Sequence, residues 1–365
     1  MWGSFDGFIF PRADDDQNLH RVDDDRAESQ TVVTLNAKAY RIAERRFWMR
    51  AVGVVPMEHE VDLPGLGTSV RVLTHGAGPT IVLVHGGSNA AASWAPLVKR
   101  LADFRCVMIE QPGAGLSEPA KKGPRRVRDY AVQMLREVLD AIGLDQSAIV
   151  ASSFGSYIAL VFAAAHPERV SRMVHLGAPA LVPDVRTPLP LLAQSFPIVG
   201  PVLRRVQKPS LERSRRMLGQ MGHEAASLSR PDIMDVLKWY TALSTHTPTR
   251  ENDATLFGRV RRRDLLSMTD LSLIATPMSF FWGERDTFGP PDTARTLVDA
   301  IPNARLEMVP DAGHLPWIDA SKRAAEHLAA FMAPRRTLSR RTRSVRGRVS
   351  RSAATPKSSA VLRVV

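Results

Sequence analysis

VASSFGSY, residues 150–157, joins a short apolar run to a stretch with helical spacing, and it contains two adjacent serines. When a strand turns directly into a helix, the turn residue is crowded, and the positions two before and two after it must be small. Ser153 at the turn places Ala151 and Gly155 at those positions. Ser152 at the turn would place a valine and a phenylalanine there. The stretch therefore predicts Ser153 as the reactive serine, with an ordinary helix N-cap as the alternative.

The surrounding sequence alternates short apolar runs with helix-spaced stretches, which is typical of a mostly parallel sheet covered by helices. The predicted strands are 80–84, 106–109, 148–151, 172–176, 278–282 and 305–309. The predicted helices are 93–104, 127–142, 154–165, 291–300 and 317–332. Residues 57–80 alternate enough to form an antiparallel hairpin at one edge of the sheet, and 34–51 is predicted as an additional amphipathic helix.

One long interval, between the strands at 172–176 and 278–282, breaks this rhythm. Its sequence has helical spacing and is punctuated by Pro and Gly, so we predict an inserted helical cap over 181–265. The α/β core then comprises 31–180 and 266–333.

The stretch around Ser153 resembles the nucleophile elbow of the α/β-hydrolase family, Gly-x-Ser-x-Gly, with Ala151 in place of the first glycine. IVLVHGGS (81–88) is similar to the His-Gly loop of that family, which helps to form an oxyanion hole. The resemblance implies the backbone amides of Gly87 and Phe154 as its donors, with Ser88 as a near alternative to Gly87. His85 is expected to be structural.

Two further segments carry the resemblance. IEQPGAGLS (109–117) matches an Asp-x-Pro-Gly-x-Gly-x-Ser turn of the family, with Glu110 in place of the aspartate and an expected architectural role. FFWGERDTFGP (280–290) resembles the segment that supplies the family's acid, and Asp286 stands at the matching position. Glu284 and Asp292 are nearby alternatives.

VPDAGHLPWID (309–319) resembles the segment that supplies the family's histidine, and it identifies His314. The chain order is then nucleophile Ser153, acid Asp286 and base His314, which is the order of the family. A serine is inert at neutral pH unless a nearby base removes its proton. His314 would act as that base, while Asp286 would fix its tautomer and stabilise the imidazolium.

The resemblance implies an eight-stranded, mostly parallel α/β-hydrolase sheet and, as the leading hypothesis, a serine hydrolase of carboxylic esters acting through an acyl-enzyme. Family members that open epoxides or displace halides generally attack with Asp, so Ser153 argues against both. The alternatives are hydrolysis of a carbon–carbon bond, as in the family's meta-cleavage hydrolases, and acyl transfer or perhydrolysis with the same triad. A non-catalytic ligand-binding protein is a minor alternative.

Substrate specificity in this family resides in the cap. We predict Trp239, Tyr240 and Phe196, together with Leu191 and Leu192, as a pocket lining that suits an apolar acyl substrate. Core packing within the cap is the alternative for each of them. No cofactor is expected, and no cluster of His, Cys, Asp and Glu has the spacing of a metal site.

The net charge of +12 is concentrated at one end, because residues 334–365 contain ten Lys or Arg and no Asp or Glu. This tail is predicted to be disordered, as is the acidic segment 1–30. The tail has no aromatic residues on which bases could stack, so no specific nucleic-acid partner is expected, and contact with acidic surfaces is the alternative. No signal peptide or long apolar run is evident, so we expect a cytoplasmic protein without a membrane span.

Overall fold

The computed structural model describes residues 23–186, 202 and 208–332. The predicted basic tail, 334–365, lies outside these residues, as do residues 1–22 of the predicted acidic segment.

Eight strands form one mixed sheet in the described part of the chain, in the order β1-β2-β4-β3-β5-β6-β7-β8. The pairs β1–β2 and β2–β4 are antiparallel, and every other neighbouring pair is parallel. The fold class predicted from the sequence is confirmed, including the hairpin at one edge. The strands are β1 (Met57–Leu63), β2 (Thr68–His75), β3 (Thr80–Val84), β4 (Arg105–Ile109), β5 (Ser147–Ala151), β6 (Val170–Leu176), β7 (Met278–Gly283) and β8 (Ala304–Val309).

Helices cover both faces of the sheet. α3 (Val127–Ala141), α4 (Phe154–Ala165) and α9 (Pro291–Asp299) pack on one face and share one hydrophobic core with it. On the other face a second core includes residues of α1 (Asp23–Ala51), α2 (Ala95–Val98), α10 (Pro316–Asp319) and α11 (Ser321–Met332). The helix order matches the alternation expected from the sequence.

Three predicted helices have different bounds in the structure. The helix predicted over 317–332 is two helices, α10 and α11, separated at Ala320. The helix predicted over 93–104 is a 3-10 turn, Ala91–Trp94, followed by the short α2, because the chain turns at 101–104 to enter β4. The helix predicted over 34–51 begins at Asp23. Residues 23–30 of the segment predicted to be disordered are therefore helical, and their charged sequence continues directly into the part of α1 that packs on the core.

The segment between β6 and β7, residues 177–277, is here called the β6–β7 segment. Its described residues form helices and loops and contribute no strand. The α-helices with described bounds in this segment are α5 (Leu211–Gln220), α6 (Pro231–Thr245), α7 (Thr247–Gly258) and α8 (Met268–Ser272). α6 packs against α1, where the rings of Trp239 and Phe47 are stacked with centroids 5.5 Å apart. The limits predicted for a cap, 181–265, stay a prediction.

A buried cluster of three charged residues joins α1 to the sheet. The guanidinium of Arg71, on β2, donates to both carboxylate oxygens of Glu110 at 2.8 and 2.9 Å, and to those of Glu44, on α1, at 2.8 and 2.6 Å. All three side chains are buried. Burial raises the pKa of the Glu44 carboxyl, and the charge of Arg71 opposes that rise. Glu110 thus has the architectural role expected from the sequence.

We expect Arg71→Met to lower the free energy of unfolding by about 3–5 kcal/mol, because it leaves two carboxylates buried without their cation. Arg295→Met is the matched control. It removes an exposed Arg295–Asp292 pair and should cost less than about 1 kcal/mol. Urea unfolding of both variants measures the difference, and equal losses would contradict the assigned role of the cluster.

Candidate active site

The candidate site lies at the edge of the sheet where the parallel strands β5 to β8 end. Ser153 follows β5, Asp286 follows β7, and His314 follows β8. Because the carboxyl ends of parallel strands meet at one edge, the three loops converge there.

Ser153 occupies a sharp turn between β5 and α4. Its φ of 52° and ψ of −117° place a non-glycine residue in a strained region of the backbone map. Gly155 lies so close to β3 that a Cβ built on it would collide with the carbonyl oxygen of Val84. The side chain of Ser152 is buried, whereas Ser153 is only partly buried. The preference for Ser153 over Ser152 agrees with this turn geometry.

His314 and Asp286 form a buried pair. Nδ1 of His314 lies 3.0 Å from Oδ1 and 2.9 Å from Oδ2 of Asp286. The carboxylate also accepts the backbone amides of Ala178 at 2.8 Å and Phe288 at 2.9 Å. A carboxylate in this position favours the tautomer in which Nδ1 carries the proton and Nε2 is a free base. The ring of Phe288 stacks on the imidazole with centroids 3.9 Å apart.

The loop that follows β6 contacts all three candidate residues. The amide of Ala180 donates to the carbonyl oxygen of Ser153 at 3.0 Å, and the loop also supplies the Ala178 amide to Asp286. Gly177 lies against the carbonyl oxygen of His314 and has no room for a side chain. Within the described residues, Nε2 of His314 has no hydrogen-bond partner. Catalytic hydrogen bonds often tighten only when substrate binds.

The loop after β3 contains the predicted donor Gly87. The neighbouring His85 donates from Nδ1 to the carbonyl of Gly86 at 2.7 Å, and its Nε2 accepts the amide of Gln111 at 3.2 Å. Burial lowers the pKa of His85 to about 4, so it is neutral and fixes the loop, as expected from the sequence. The hydroxyl of Tyr240 donates to the carbonyl of Ser88 at 2.7 Å.

The comparisons with known proteins decide the family. The model of the α/β hydrolase fold matches residues 79–321, which include Ser153, Asp286 and His314. The chain belongs to the α/β-hydrolase family. The relatives that match most of the chain are named as hydrolases, and this chain is a hydrolase enzyme.

Among the relatives of this α/β hydrolase is a 2-hydroxy-6-oxononadienedioate/2-hydroxy-6-oxononatrienedioate hydrolase from Cupriavidus pinatubonensis. It is 29% identical over an alignment of 280 residues, which covers 70% of this chain and 85% of the relative. The 2-hydroxymuconate semialdehyde hydrolase of a Pseudomonas species is also 29% identical, over 75% of this chain and 94% of its own.

Solved structures with the same fold include two hydrolases of different chemistry. Carboxylesterase CesB from Bacillus subtilis has a TM-score of 0.64 at 15% identity and covers 83% of this chain and 99% of its own. The 2-hydroxy-6-oxo-6-phenylhexa-2,4-dienoate hydrolase of a Rhodococcus species has a TM-score of 0.62 at 20% identity. The match covers 76% of this chain and 99% of that hydrolase. Both show the fold of this α/β hydrolase.

The other predicted site residues have varied positions. Trp239 is fully buried between α6 and α1, which favours the core role left open by the sequence. The hydroxyl of Tyr240 contacts the loop that contains Gly87, and its place in a substrate pocket stays a prediction. Phe196 lies outside the described residues, as do Leu191 and Leu192. Neither alternative acid contacts His314: Glu284 is exposed, and Asp292 pairs with Arg295.

Two aromatic side chains near the site were not singled out by the sequence analysis. Phe288 covers the imidazole of His314, and a Cβ built on Gly87 would meet the ring of Phe257, on α7. Phe288 lies in the same short segment as Asp286, so that segment could have identified it as a site residue. No motif in the sequence around Phe257 identifies that residue. In the part of the chain that the structure describes, no three His, Cys, Asp or Glu residues could hold a metal, and no helix is long and apolar enough to cross a membrane.

We expect Gly155→Ala to destabilise the protein by several kcal/mol, because the new Cβ would collide with the backbone of β3. The matched control is Gly219→Ala in α5, where a Cβ meets nothing within 4 Å. This control should be neutral or stabilising by up to about 1 kcal/mol through helix propensity. Thermal unfolding distinguishes them, and a Gly155→Ala protein as stable as the control would contradict the packing described for the turn.

Proposed function

We propose that this α/β hydrolase cleaves a carbon–carbon bond next to a ketone in a 2-hydroxy-6-oxodienoate. The observation that carries the proposal is the recurrence of this chemistry in the names of relatives that cover most of the chain. A 2-hydroxy-6-oxononadienedioate contains no ester or amide, so its hydrolysis must break a bond beside the ketone carbon. The main expectation from the sequence was ester cleavage, and the comparisons favour its stated alternative.

In the proposed mechanism, Ser153 is the nucleophile, His314 the base and Asp286 the residue that orients it. Oγ of Ser153 bonds to the ketone carbon as Nε2 of His314 takes its proton. The backbone amides of Gly87 and Phe154 stabilise the resulting oxyanion. Phe154 is the first residue of α4, where helix amides have no internal partner.

The bond from C5 to the former ketone carbon C6 then breaks, and its electron pair moves onto C5. This carbanion is stabilised only if it is conjugated with a 2-oxo group, so the substrate must react as its 2,6-dioxo tautomer. The imidazolium of His314 protonates C5, which releases the first product. Water, activated by the same imidazole, hydrolyses the acyl-Ser153 ester and restores the free enzyme.

The proposed mechanism requires all three candidate residues. We expect Ser153→Ala, His314→Ala and Asp286→Asn each to lower turnover about 10⁴-fold without unfolding the protein. Ser152→Ala is the matched control and should keep most of the activity, because its buried side chain lies outside the proposed reaction.

Labelling with a fluorophosphonate probe, followed by peptide mapping, measures serine activation without any substrate. Modification of Ser153 in the wild-type protein, and none in Ser153→Ala, is the expected result. Labelling of Ser152, or undiminished turnover by Ser153→Ala, would refute the mechanism. A folded wild-type protein that is not labelled would instead favour the non-catalytic alternative.

The residues beside the proposed site indicate which substituent at the ketone the enzyme prefers. Phe257 and Phe288 are partly buried aromatic residues beside Gly87 and His314, so an apolar substituent should be preferred there. We expect a higher kcat/KM for 2-hydroxy-6-oxo-6-phenylhexa-2,4-dienoate than for 2-hydroxy-6-oxononadienedioate, whose substituent ends in a carboxylate.

The loss of dienoate absorbance follows both reactions, and 4-nitrophenyl butyrate serves as the ester comparison. Cleavage of the ester alone would overturn the carbon–carbon proposal and support the ester hydrolase expected from the sequence. Product analysis with added alcohol or peroxide detects acyl transfer or perhydrolysis on the same acyl-enzyme.

A further inference from the structure

A turn of the β6–β7 segment, residues 221–223, lies directly against the loop that carries His314. The carbonyl oxygen of Met221 accepts the amide of His314 at 2.9 Å. The approach is so close that a Cβ built on Gly313 would lie 2.8 Å from the backbone nitrogen of His223. Gly222 has a φ of +92° and faces the carbonyl of Arg285 without space for a side chain. Glycines on both sides therefore permit the contact.

His223 extends this contact with its ring, which is fully buried. Its Nε2 accepts the amide of Leu315 at 3.4 Å, and its Nδ1 lies 2.7 Å from Oδ2 of Asp319. A backbone amide can only donate, so this contact is made by the tautomer in which Nδ1 carries the proton and Nε2 accepts. In that tautomer the ring bridges Asp319 and the histidine loop.

Asp319 completes the arrangement from α10. Oδ2 also accepts the amide of Gly313 at 2.9 Å, and Oδ1 accepts the hydroxyl of Ser227 at 2.6 Å. Burial alone would raise the pKa of Asp319, but the hydrogen bond and the Coulombic attraction of His223, together with the hydrogen bonds from Ser227 and Gly313, outweigh it and lower the pKa. The residue is therefore a carboxylate that can accept all of these donors.

The consequence is that three consecutive amides around the proposed base are fixed. Those of Gly313, His314 and Leu315 donate to Asp319, Met221 and His223 respectively. Within the described residues, the ring of His314 itself hydrogen-bonds only through Nδ1, to Asp286. The position of its Nε2 therefore depends on the backbone that these amides hold.

We propose that His223 is a positioning residue for His314, and that its ring, oriented by Asp319, keeps Nε2 of His314 aligned with Ser153. The inference rests on the proposed function, because it assumes that His314 is the base. A displacement of about 1 Å in a reacting group can cost about 100-fold in rate. Loss of His223 should thus slow the reaction without weakening the binding of ligands.

The test measures the labelling of Ser153 by a fluorophosphonate at several probe concentrations, which separates the maximal rate from the concentration at half-saturation. We expect His223→Phe, which keeps an aromatic ring but no hydrogen bond, to lower the maximal rate about 10- to 100-fold with half-saturation unchanged. His223→Gln, whose amide oxygen can accept the Leu315 amide, should restore most of that rate.

Two further variants separate positioning from stability. Asp319→Asn can present an N–H to Nδ1 of His223, which favours the tautomer with the proton on Nε2. That N–H would face the donating amide of Leu315, so we expect this variant to slow labelling as well. Ser214→Ala removes a partly buried hydrogen bond to Thr241, between α5 and α6, that involves no residue of the histidine loop, and it should label at the wild-type rate.

The proton resonance of the His314 Nδ1–H, far downfield in NMR spectra, reports directly on the bond to Asp286. We expect it to shift or broaden in folded His223→Phe and Asp319→Asn, and to be retained in His223→Gln and Ser214→Ala. If His223→Phe does not fold, the same labelling rates and spectra of Asp319→Asn and His223→Gln test the positioning role. Asp319→Asn should then be slow with an altered resonance, and His223→Gln should resemble the wild-type protein.

Wild-type labelling rates in folded His223→Phe and Asp319→Asn, with an unchanged resonance, would overturn the positioning role while leaving the proposed function intact. Equal slowing by the Phe and Gln variants without a change in the resonance would also overturn it. Absence of Ser153 labelling in the wild-type protein would refute the proposed function itself, and with it this inference.

Discussion

The close approach of α4 to β3 holds the backbone of Ser153 in a strained conformation with positive φ, and the rest of the candidate site is arranged around that turn. Such a conformation costs on the order of 1–3 kcal/mol for a residue with a side chain. It persists because α4 cannot shift: residues 154–163 are all buried, so the helix packs on every side. The turn leaves Ser153 only partly buried, directly after the end of β5.

The other parts of the site are held differently, by contacts between residues far apart in the chain. The loop with Gly87 is fixed by Gln111 through His85 and by Tyr240 through Ser88. The buried Glu110 accepts the amides of Ala91 and Leu116, which joins this loop to the next one along the sheet edge. The β6–β7 segment thus contacts both the proposed oxyanion loop and the proposed base.

The difference between the local turn at Ser153 and contacts from distant parts of the chain explains what could be predicted from the sequence. The strands β3 to β7 are mostly buried and rich in apolar residues, and the limits of β3 to β8 were predicted within two residues. The motifs around Ser153 and His314 identified their loops. The partners Tyr240–Ser88 and His223–Asp319 are 152 and 96 residues apart, and no local pattern marks such pairs. Trp239 could equally have faced a pocket or α1, because helical spacing does not say which neighbour covers an apolar face.

A carbon leaving group makes a stricter demand on His314 than an alkoxide does. An alkoxide oxygen carries several lone pairs and is protonated rapidly by any nearby acid, so the direction of the imidazolium matters little. The carbanion at C5 has one orbital, perpendicular to its conjugated plane, and the proton must arrive along it. The enzyme proposed here therefore needs a base whose Nε2 is held in both position and direction. The three fixed amides of residues 313–315 supply that restraint, and Phe288, stacked on the imidazole, limits rotation of the ring.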